Sequence, residues 1–148
     1  MAVLRAHPYG NQHFLVDLGA GSAGPEAAFC EVVIPGISID VVEYRTGSSK
    51  ESGVQKLPGL ARYPDVILRR GVIGSLDLYN WINEVRNGSS NAARTVTIQL
   101  LSEDRVPVVT WKLLRAWPVK YSGPALDAKG TDVAMEELTL AYELLEME

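Results

Sequence analysis

The chain has 148 residues, of which 47% are hydrophobic and 22% are charged, and its 14 Lys and Arg and 18 Asp and Glu give a formal net charge of −4. This length suits a single domain spanning 1–148. The apolar content excludes an intrinsically disordered chain, and the negative charge argues against a general nucleic-acid binder, which needs a basic surface to neutralise phosphates. No apolar run reaches the roughly 18 residues of a transmembrane helix, and residues 1–11 lack the apolar core of a secretory signal, so we expect cytoplasmic synthesis and no membrane insertion.

The hydrophobic residues recur mostly with a period of two, which predicts a chain rich in β-strands. Segment 94–101 is the clearest example, because Val96, Ile98 and Leu100 alternate with polar residues. The polar turn 102–105 then predicts a hairpin with the next apolar segment. The predicted strands, in chain order, are 13–18, 27–34, 37–44, 65–70, 94–101 and 106–116.

One helix is predicted over 75–86. Ser75 is the expected N-cap, because a hydroxyl can accept a hydrogen bond from a first-turn amide, and Asp77 suits the positive end of the helix dipole. The apolar stripe consists of Leu78, Tyr79, Ile82 and Val85.

The last segment, 131–148, is compatible with two structures. Its Ala, Glu, Leu and Met content favours a helix by intrinsic propensity, whereas its alternation of apolar and polar residues favours a strand. We favour the strand, because tertiary pairing often overrides propensity in a β-rich chain.

Segment 46–59 is polar and contains three glycines, Gly47, Gly53 and Gly59. It predicts a long loop inside the domain, and loops of this length are usually functional or lack order in the isolated subunit.

No motif in the sequence predicts catalysis, a cofactor or a metal ion. Residues 19–24 match G-x-G-x-x-G, but the following residues predict a strand instead of the helix that a dinucleotide site requires. Cys30 is the single cysteine and is expected to be a small buried hydrophobe, and two histidines are too few for a histidine metal site. The adjacent Glu136 and Glu137 would face opposite sides of a strand, and we expect Trp81, Trp111 and Trp117 to pack in the core.

Five segments follow one another in the sequence as 68–82 (LRRGVIGSLDLYNWI), 94–101 (RTVTIQLL), 109–113 (VTWKL), 116–124 (AWPVKYSGP) and 133–138 (VAMEEL). In this order they resemble the tail tube proteins of contractile phages and the inner tube proteins of extracellular contractile injection systems. The resemblance is clear over about residues 60–148, and the first third of the chain agrees in its layout of strands and loops.

The resemblance implies a mainly β (α+β) fold, in which two packed antiparallel sheets form a barrel-like sandwich with one flanking α-helix. It also favours a strand for 131–148. The implied function is structural and not enzymatic: copies form hexameric rings that stack into a hollow tube. The implied partners are further copies of the chain, a sheath protein, baseplate and tube-initiator proteins, a tube terminator, and a protein or DNA payload in the lumen. The tube would then belong to a virion tail or a released extracellular injection particle.

Two alternatives stay open. One is a secreted hexameric ring protein of a type VI secretion system, similar to the haemolysin-coregulated protein, which shares this fold. The other, from a different class, is a small β-barrel that binds a ligand.

The resemblance further implies that segment 46–59 is an extended arm that packs onto neighbouring subunits. A separate hypothesis pairs the acidic end 131–148 with the basic residues Arg69, Arg70 and Arg115 between subunits. The residues expected at assembly interfaces are therefore Ser48, Lys50, Glu51, Val54, Lys56, Arg69, Arg70, Glu146 and Glu148.

Overall fold

The computed structural model describes residues 1–19, 28–48, 50 and 52–148, which form strands and one α-helix. The strands are β1 (Phe14–Asp17), β2 (Glu31–Val33), β3 (Ser38–Tyr44), β4 (Gln55–Arg62), β5 (Val66–Gly71), β6 (Arg94–Leu101), β7 (Pro107–Ser122), β8 (Met135–Ala141) and β9 (Leu144–Met147), and the helix is α1 (Asp77–Arg86).

Seven of the strands form one antiparallel sheet in the order β1-β6-β7-β8-β5-β2, with β9 also paired to β7. The 16-residue β7 connects the two parts of this sheet, because its first half pairs with β6 and β9 and its second half pairs with β8. Arg115, with φ of +54°, and an irregularity between Pro118 and Lys120 lie where β7 passes from one part to the other. Strands β3 and β4 form a separate two-stranded sheet.

The predicted fold class, mostly β with antiparallel sheets and one helix, is confirmed. The sheets are not closed into a barrel, because β1 and β2 stand at opposite ends of the strand order and do not pair with each other. Strand β2 has only three residues and therefore offers few backbone groups for closure.

A single hydrophobic core contains side chains from both parts of the seven-stranded sheet. Alternation along β5 and β8 buries Val66, Leu68, Leu138 and Leu140, which are each 0% exposed. Helix α1 covers this core with Leu78 and Trp81, and the Trp81 indole donates a hydrogen bond of 2.7 Å to the carbonyl of Ala92. The ring of Trp81 adds buried apolar area to the core, and its hydrogen bond fixes the orientation of the side chain.

Two predictions about burial are wrong. Trp117 is 39% exposed, because Ala116 and Pro118 occupy the inward positions of β7 and alternation turns Trp117 outward. Cys30 is exposed, because it lies immediately before the short edge strand β2 and not inside a buried strand. By contrast, Trp81 is buried as predicted and Trp111 is partly buried against the core.

The helix begins later than predicted. Its N-cap is Leu76 and not Ser75, and its first residue is Asp77. The Ser75 hydroxyl donates a 2.9 Å hydrogen bond to the Asp77 carboxylate, which also binds Arg70. Ser75 therefore stabilises the first turn of the helix by holding the side chain of Asp77, the first helical residue.

The predicted boundaries of the strands differ from the structure mainly in β2, around the predicted loop 46–59 and in β7. Of the predicted strand 27–34, only Glu31–Val33 is a strand. Segment 55–62, which lies partly in the predicted loop, is strand β4. Apolar and polar residues do not alternate along it, because almost every residue in it is exposed. Strand β7 continues to Ser122, six residues past its predicted end. The strand prediction for 131–148 is confirmed, as β8 and β9 with a break at Tyr142 and Glu143. Residues 20–24 of the glycine motif lie outside the described residues.

Candidate assembly surface

The hairpin of β3 and β4, with the tip that joins them, is the most exposed apolar part of the chain, and we call residues 38–62 the arm. Its two strands pair only with each other, from Ser38 opposite Arg62 to Tyr44 opposite Gln55. Large apolar side chains on and beside the arm are 42–76% exposed: Ile37, Ile39, Val41, Val42, Tyr44, Val54, Leu57 and Leu60. Large apolar side chains exposed in such number on one element of a folded protein indicate an interaction site.

Local features fix the arm as a tight hairpin. A Cβ at Gly59 would lie 3.0 Å from the Asp40 carbonyl oxygen and 3.1 Å from a methyl group of Val42, so the strands approach closely at this point. At the root of the arm, Arg62 and Asp40 form an ion pair of 2.8 Å. The arm is therefore a defined structural element that leaves apolar side chains in solvent.

The structure places the predicted arm residues at the tip and on β4. Ser48 and Lys50 are exposed at the tip, Val54 is 42% exposed, and Lys56 lies on β4 opposite Glu43. Glu51 lies outside the described residues. The exposed apolar residues of β3, with Leu57 and Leu60 of β4, were missed by the sequence reasoning. The alternating pattern of 37–44 does not reveal that both faces are exposed.

The predicted charged residues lie elsewhere and have partners within the chain. Arg69, 44% exposed, pairs with Glu137 at 2.8 Å and with Glu31 at 3.3 Å. Glu148 receives a hydrogen bond of 3.0 Å from Lys112, and Glu146 lies opposite Lys112 in the register of β9 and β7. The acidic end and the basic residues therefore meet inside one subunit, because β8 and β9 run beside β5 and β7.

Arg70 does not belong to an exposed interface. Its side chain is 1% exposed and lies beneath the start of α1, where it contacts Glu136 at 2.5 Å and also Asp77. The hydroxyl of Tyr121 donates a further hydrogen bond of 2.7 Å to Glu136. These four side chains connect β5, β7, β8 and α1. They form a buried network in which the charges are paired, as burial requires.

Electrostatics within this network follow from burial and pairing. Burial acts to raise the pKa of the Asp77 carboxyl, but hydrogen bonds from Arg70 and Ser75 outweigh it and leave that pKa below its ordinary value. The hydrogen bond to Glu136, together with burial, raises the pKa of Tyr121. Glu136 faces the network while Glu137 faces Arg69, which confirms that the adjacent glutamates point to opposite sides of β8.

The N-terminal segment is fastened to the turn between β6 and β7. Arg5 donates hydrogen bonds of 2.8 and 2.9 Å to the two carboxylate oxygens of Glu103 and lies 3.8 Å from the ring centroid of Tyr9. This bidentate contact, first among its causes, lowers the pKa of Glu103 to about 2. The backbone amide of Val3 adds a hydrogen bond of 2.9 Å to the carbonyl of Val108.

A cleft of about 260 Å³ opens between β1 and β2, where the sheet does not close. Its lining is mostly apolar and consists of Asn11, Phe14, Cys30, Glu31, Val32, Ile34, Ile98, Leu100 and Trp111. Over the described residues, no group of three or more His, Cys, Asp or Glu side chains is arranged to hold a metal ion. Nor is any helix in the described part of the chain long and apolar enough to cross a bilayer.

The family of the chain is shown by a match to one family model. A family model described as T4-like virus tail tube protein gp19 matches residues 10–146. No curated protein sequence matches the chain significantly.

Solved structures of similar fold come from contractile injection systems. One is the extended sheath-tube complex of an extracellular contractile injection system, PVC, with a TM-score of 0.83 and 28% identity over 97% of this chain and 93% of the other. A second, from the tube terminating cap of the anti-feeding prophage, has a TM-score of 0.83 and 25% identity over 100% and 95% of the two chains. Hcp1 from Flavobacterium johnsoniae shares the fold, with a TM-score of 0.55 and 15% identity over 90% of this chain and 93% of the other.

Proposed function

The chain belongs to the T4-like virus tail tube protein gp19 family, and from this premise we propose that its copies form hexameric rings that stack into the hollow inner tube of a contractile injection system. Tube proteins of this family are structural. We propose in addition that this chain has no catalytic activity, that its lumen carries a protein or DNA payload, and that its partners are a sheath, a baseplate with its tube initiator, and a terminator. The assembled tube would function in an extracellular particle or a virion after assembly in the cytoplasm.

The exposed arm is the observation that carries this proposal. Its apolar side chains are left exposed by the described part of the subunit, and they are therefore available to a neighbouring copy. Burial of such side chains stabilises association by roughly 25 cal/mol for each Å² removed from water. A contact that joins different surfaces of identical subunits closes into a ring or propagates as a filament, depending on the rotation between copies.

The open edges of the large sheet support the same proposal. Strands β1 and β2 end the strand order, so backbone groups along their outer edges have no strand partner in the described part of the chain. Exposed edges promote pairing with other chains, and a ring of subunits covers them. Within this proposal, Ser48, Lys50, Glu51, Val54 and Lys56 lie at arm interfaces.

The roles of the charged residues are revised accordingly. Arg69 and Glu148 can bind a neighbouring subunit only if they share or exchange the ion-pair partners they have within the subunit. Glu146 lies opposite Lys112 in the register of β9 and β7, and Arg70 acts through the fold. Glu146→Lys tests a charge contact between subunits, with the unfolding midpoint of the isolated subunit measured in parallel, because the new lysine lies opposite Lys112 in the register of β9 and β7. The hypothesis predicts shorter tubes with altered salt sensitivity.

Assembly of the purified protein tests the proposed function. We expect rings or tubes in negative-stain electron microscopy when the protein is concentrated or mixed with its baseplate initiator. Leu60→Asp, at an arm position that is 76% exposed, is expected to leave a folded but unassembled subunit. The matched control is Leu126→Asp, at a position 86% exposed outside the arm, which is expected to assemble.

Two results would contradict the proposal: a wild-type protein that stays monomeric with its initiator present, or an L60D variant that assembles as well as L126D. Trypsin gives an independent check, since cleavage after Lys50 and Lys56 should be slower in tubes than in isolated subunits. Saturable binding of a metabolite by a monomer would favour the ligand-binding alternative.

A further inference from the structure

Tyr142, in the break between β8 and β9, has a buried hydroxyl without a hydrogen-bond partner. The residue is 7% exposed, and no donor or acceptor of the described residues bonds its oxygen. A buried polar group in this state carries a desolvation cost, and native proteins seldom keep one without a reason. Tyr121, also in the large sheet, shows the usual arrangement, because its hydroxyl donates to Glu136 at 2.7 Å.

The surroundings of Tyr142 belong to the connection between the arm and the large sheet. Residues 63–65 join β4 to β5, and the Tyr63 ring lies against the Tyr142 ring with centroids 5.8 Å apart and planes tilted by 55°. Asp65 in the same connection is exposed. Asp65 directly precedes Val66, which pairs with Leu140 two residues before Tyr142, so the antiparallel register of β5 and β8 brings Asp65 beside this end of β8. Burial, followed by the charge of Asp65, raises the pKa of Tyr142.

The orientation of the arm is set at its two connections to the sheet, residues 34–37 and 63–65. The arm strands pair only with each other, so no sheet hydrogen bond fixes them to the seven-stranded sheet. A neighbour that binds the apolar side chains of the arm therefore determines its final orientation. Residues 63–65 are one of these two connections, and through Tyr63 they contact the ring of Tyr142.

We infer that Tyr142 is a positioning residue for the arm: when the arm packs against a second copy of the chain, residues 63–65 shift and the Tyr142 hydroxyl donates a hydrogen bond to the Asp65 carboxylate. This inference rests on the proposed function, since it requires assembly. The unsatisfied hydroxyl makes the isolated subunit less stable than it would otherwise be. The new hydrogen bond stabilises the arm orientation found in the tube.

The inference predicts opposite effects of Tyr142→Phe on folding and on assembly. In unassembled subunits, Y142F should raise the midpoint of thermal unfolding, because it removes an unpaired buried hydroxyl. In assembly, measured by light scattering and electron microscopy, Y142F should raise the threshold concentration about fivefold, the effect expected from one neutral hydrogen bond. The matched control Tyr121→Phe should lower the unfolding midpoint and leave the threshold unchanged.

A double-mutant cycle with Asp65→Ala identifies the acceptor. In assembly, the effects of the two substitutions should not add, so that the double variant has the same threshold concentration as Y142F alone. In the unfolding of the isolated subunit, their effects on the unfolding midpoint should add. A lower unfolding midpoint for Y142F, an unchanged threshold, or additive effects of the two substitutions on the threshold would each overturn the inference. If wild-type protein fails to assemble, the proposed function fails and the inference with it. If wild type and Y142F assemble alike, only the inference fails.

Discussion

Replacing Arg70 with Met tests whether the buried charge network beneath α1 holds the fold together. Arg70 is 1% exposed and its guanidinium contacts both Glu136 and Asp77. Methionine keeps much of the apolar stem but leaves two carboxylates without their cation. Removing one member of a buried ion pair costs about 3–5 kcal/mol. Because the free energy of unfolding of a domain is only about 5–15 kcal/mol, we expect Arg70→Met to remove a large part of the stability.

The free energy of unfolding is measured by urea denaturation of dilute, unassembled protein, followed by far-UV circular dichroism. Arg69→Met is the matched control, because Arg69 is the preceding residue of β5 and pairs with Glu31 and Glu137 on the exposed side. At 44% side-chain exposure, this pair is screened by solvent, and its loss is expected to cost about 0–1 kcal/mol.

The pH dependence of the R70M variant gives a second readout. In the wild type the pKa of Asp77 is lowered, so its contribution to stability is present above the ordinary value of 3.8 and is lost as the pH falls. Without Arg70, burial raises the pKa of the Asp77 carboxyl in the folded state, so the stability penalty is largest at neutral pH and protonation relieves it. The difference in the free energy of unfolding between R70M and wild type should therefore shrink as the pH falls from 7 towards 5. A loss below about 1 kcal/mol, or a difference that does not change with pH, would refute the reasoning.

Three further predictions concern the core, the N-terminal segment and the arm. Trp81→Ala should cost about 3–5 kcal/mol in unfolding free energy, and the half-exposed Trp117→Ala about 1 kcal/mol or less; equal losses would contradict the assigned burial. The N-terminal segment should detach as the pH falls from 4.5, the ordinary pKa of Glu103, towards its folded value of about 2, because the lowered pKa stabilises the contact only above this range. Backbone amide shifts at varied pH measure this release, and shifts that stay constant down to pH 2 would exclude it. Gly59→Ala should impair assembly, because its Cβ would meet backbone at 3.0 Å, whereas Gly53→Ala, with no atom within 4 Å, should assemble normally in electron microscopy.

The regular elements of the sheet and helix were largely predictable from local patterns. Strand β6 has the predicted bounds of Arg94–Leu101, because strict alternation matches one buried and one outward face. The arm shows why other elements were not predictable. Segment 55–62 contains Pro58 and Gly59, and its residues do not alternate between a buried and an exposed face, because nearly all of them are exposed in the subunit.

The positions of the charged candidates depend on strand geometry. Arg69 and Arg70 are adjacent in sequence and equally basic, yet one is half-exposed and the other is 1% exposed, because successive residues of a strand point to opposite faces. The sequence indicated a separation of acidic and basic segments. It contained no signal that β8 pairs with β5 and thereby neutralises these charges within one subunit.

The sequence by itself determined the family, the β-rich fold with one helix, and the segment from which the arm is built, because these depend on residue order and on periodicities of two and 3.6. Tertiary structure alone decided that Arg70 is internal, that Trp117 and Cys30 are exposed and that the sheet remains open. It also decided that the Tyr142 hydroxyl is buried without a hydrogen-bond partner among the described residues. The physical reason is that burial and pairing depend on contacts between residues far apart in the chain. Here β5, β7 and β8 bring together segments separated by up to about seventy residues.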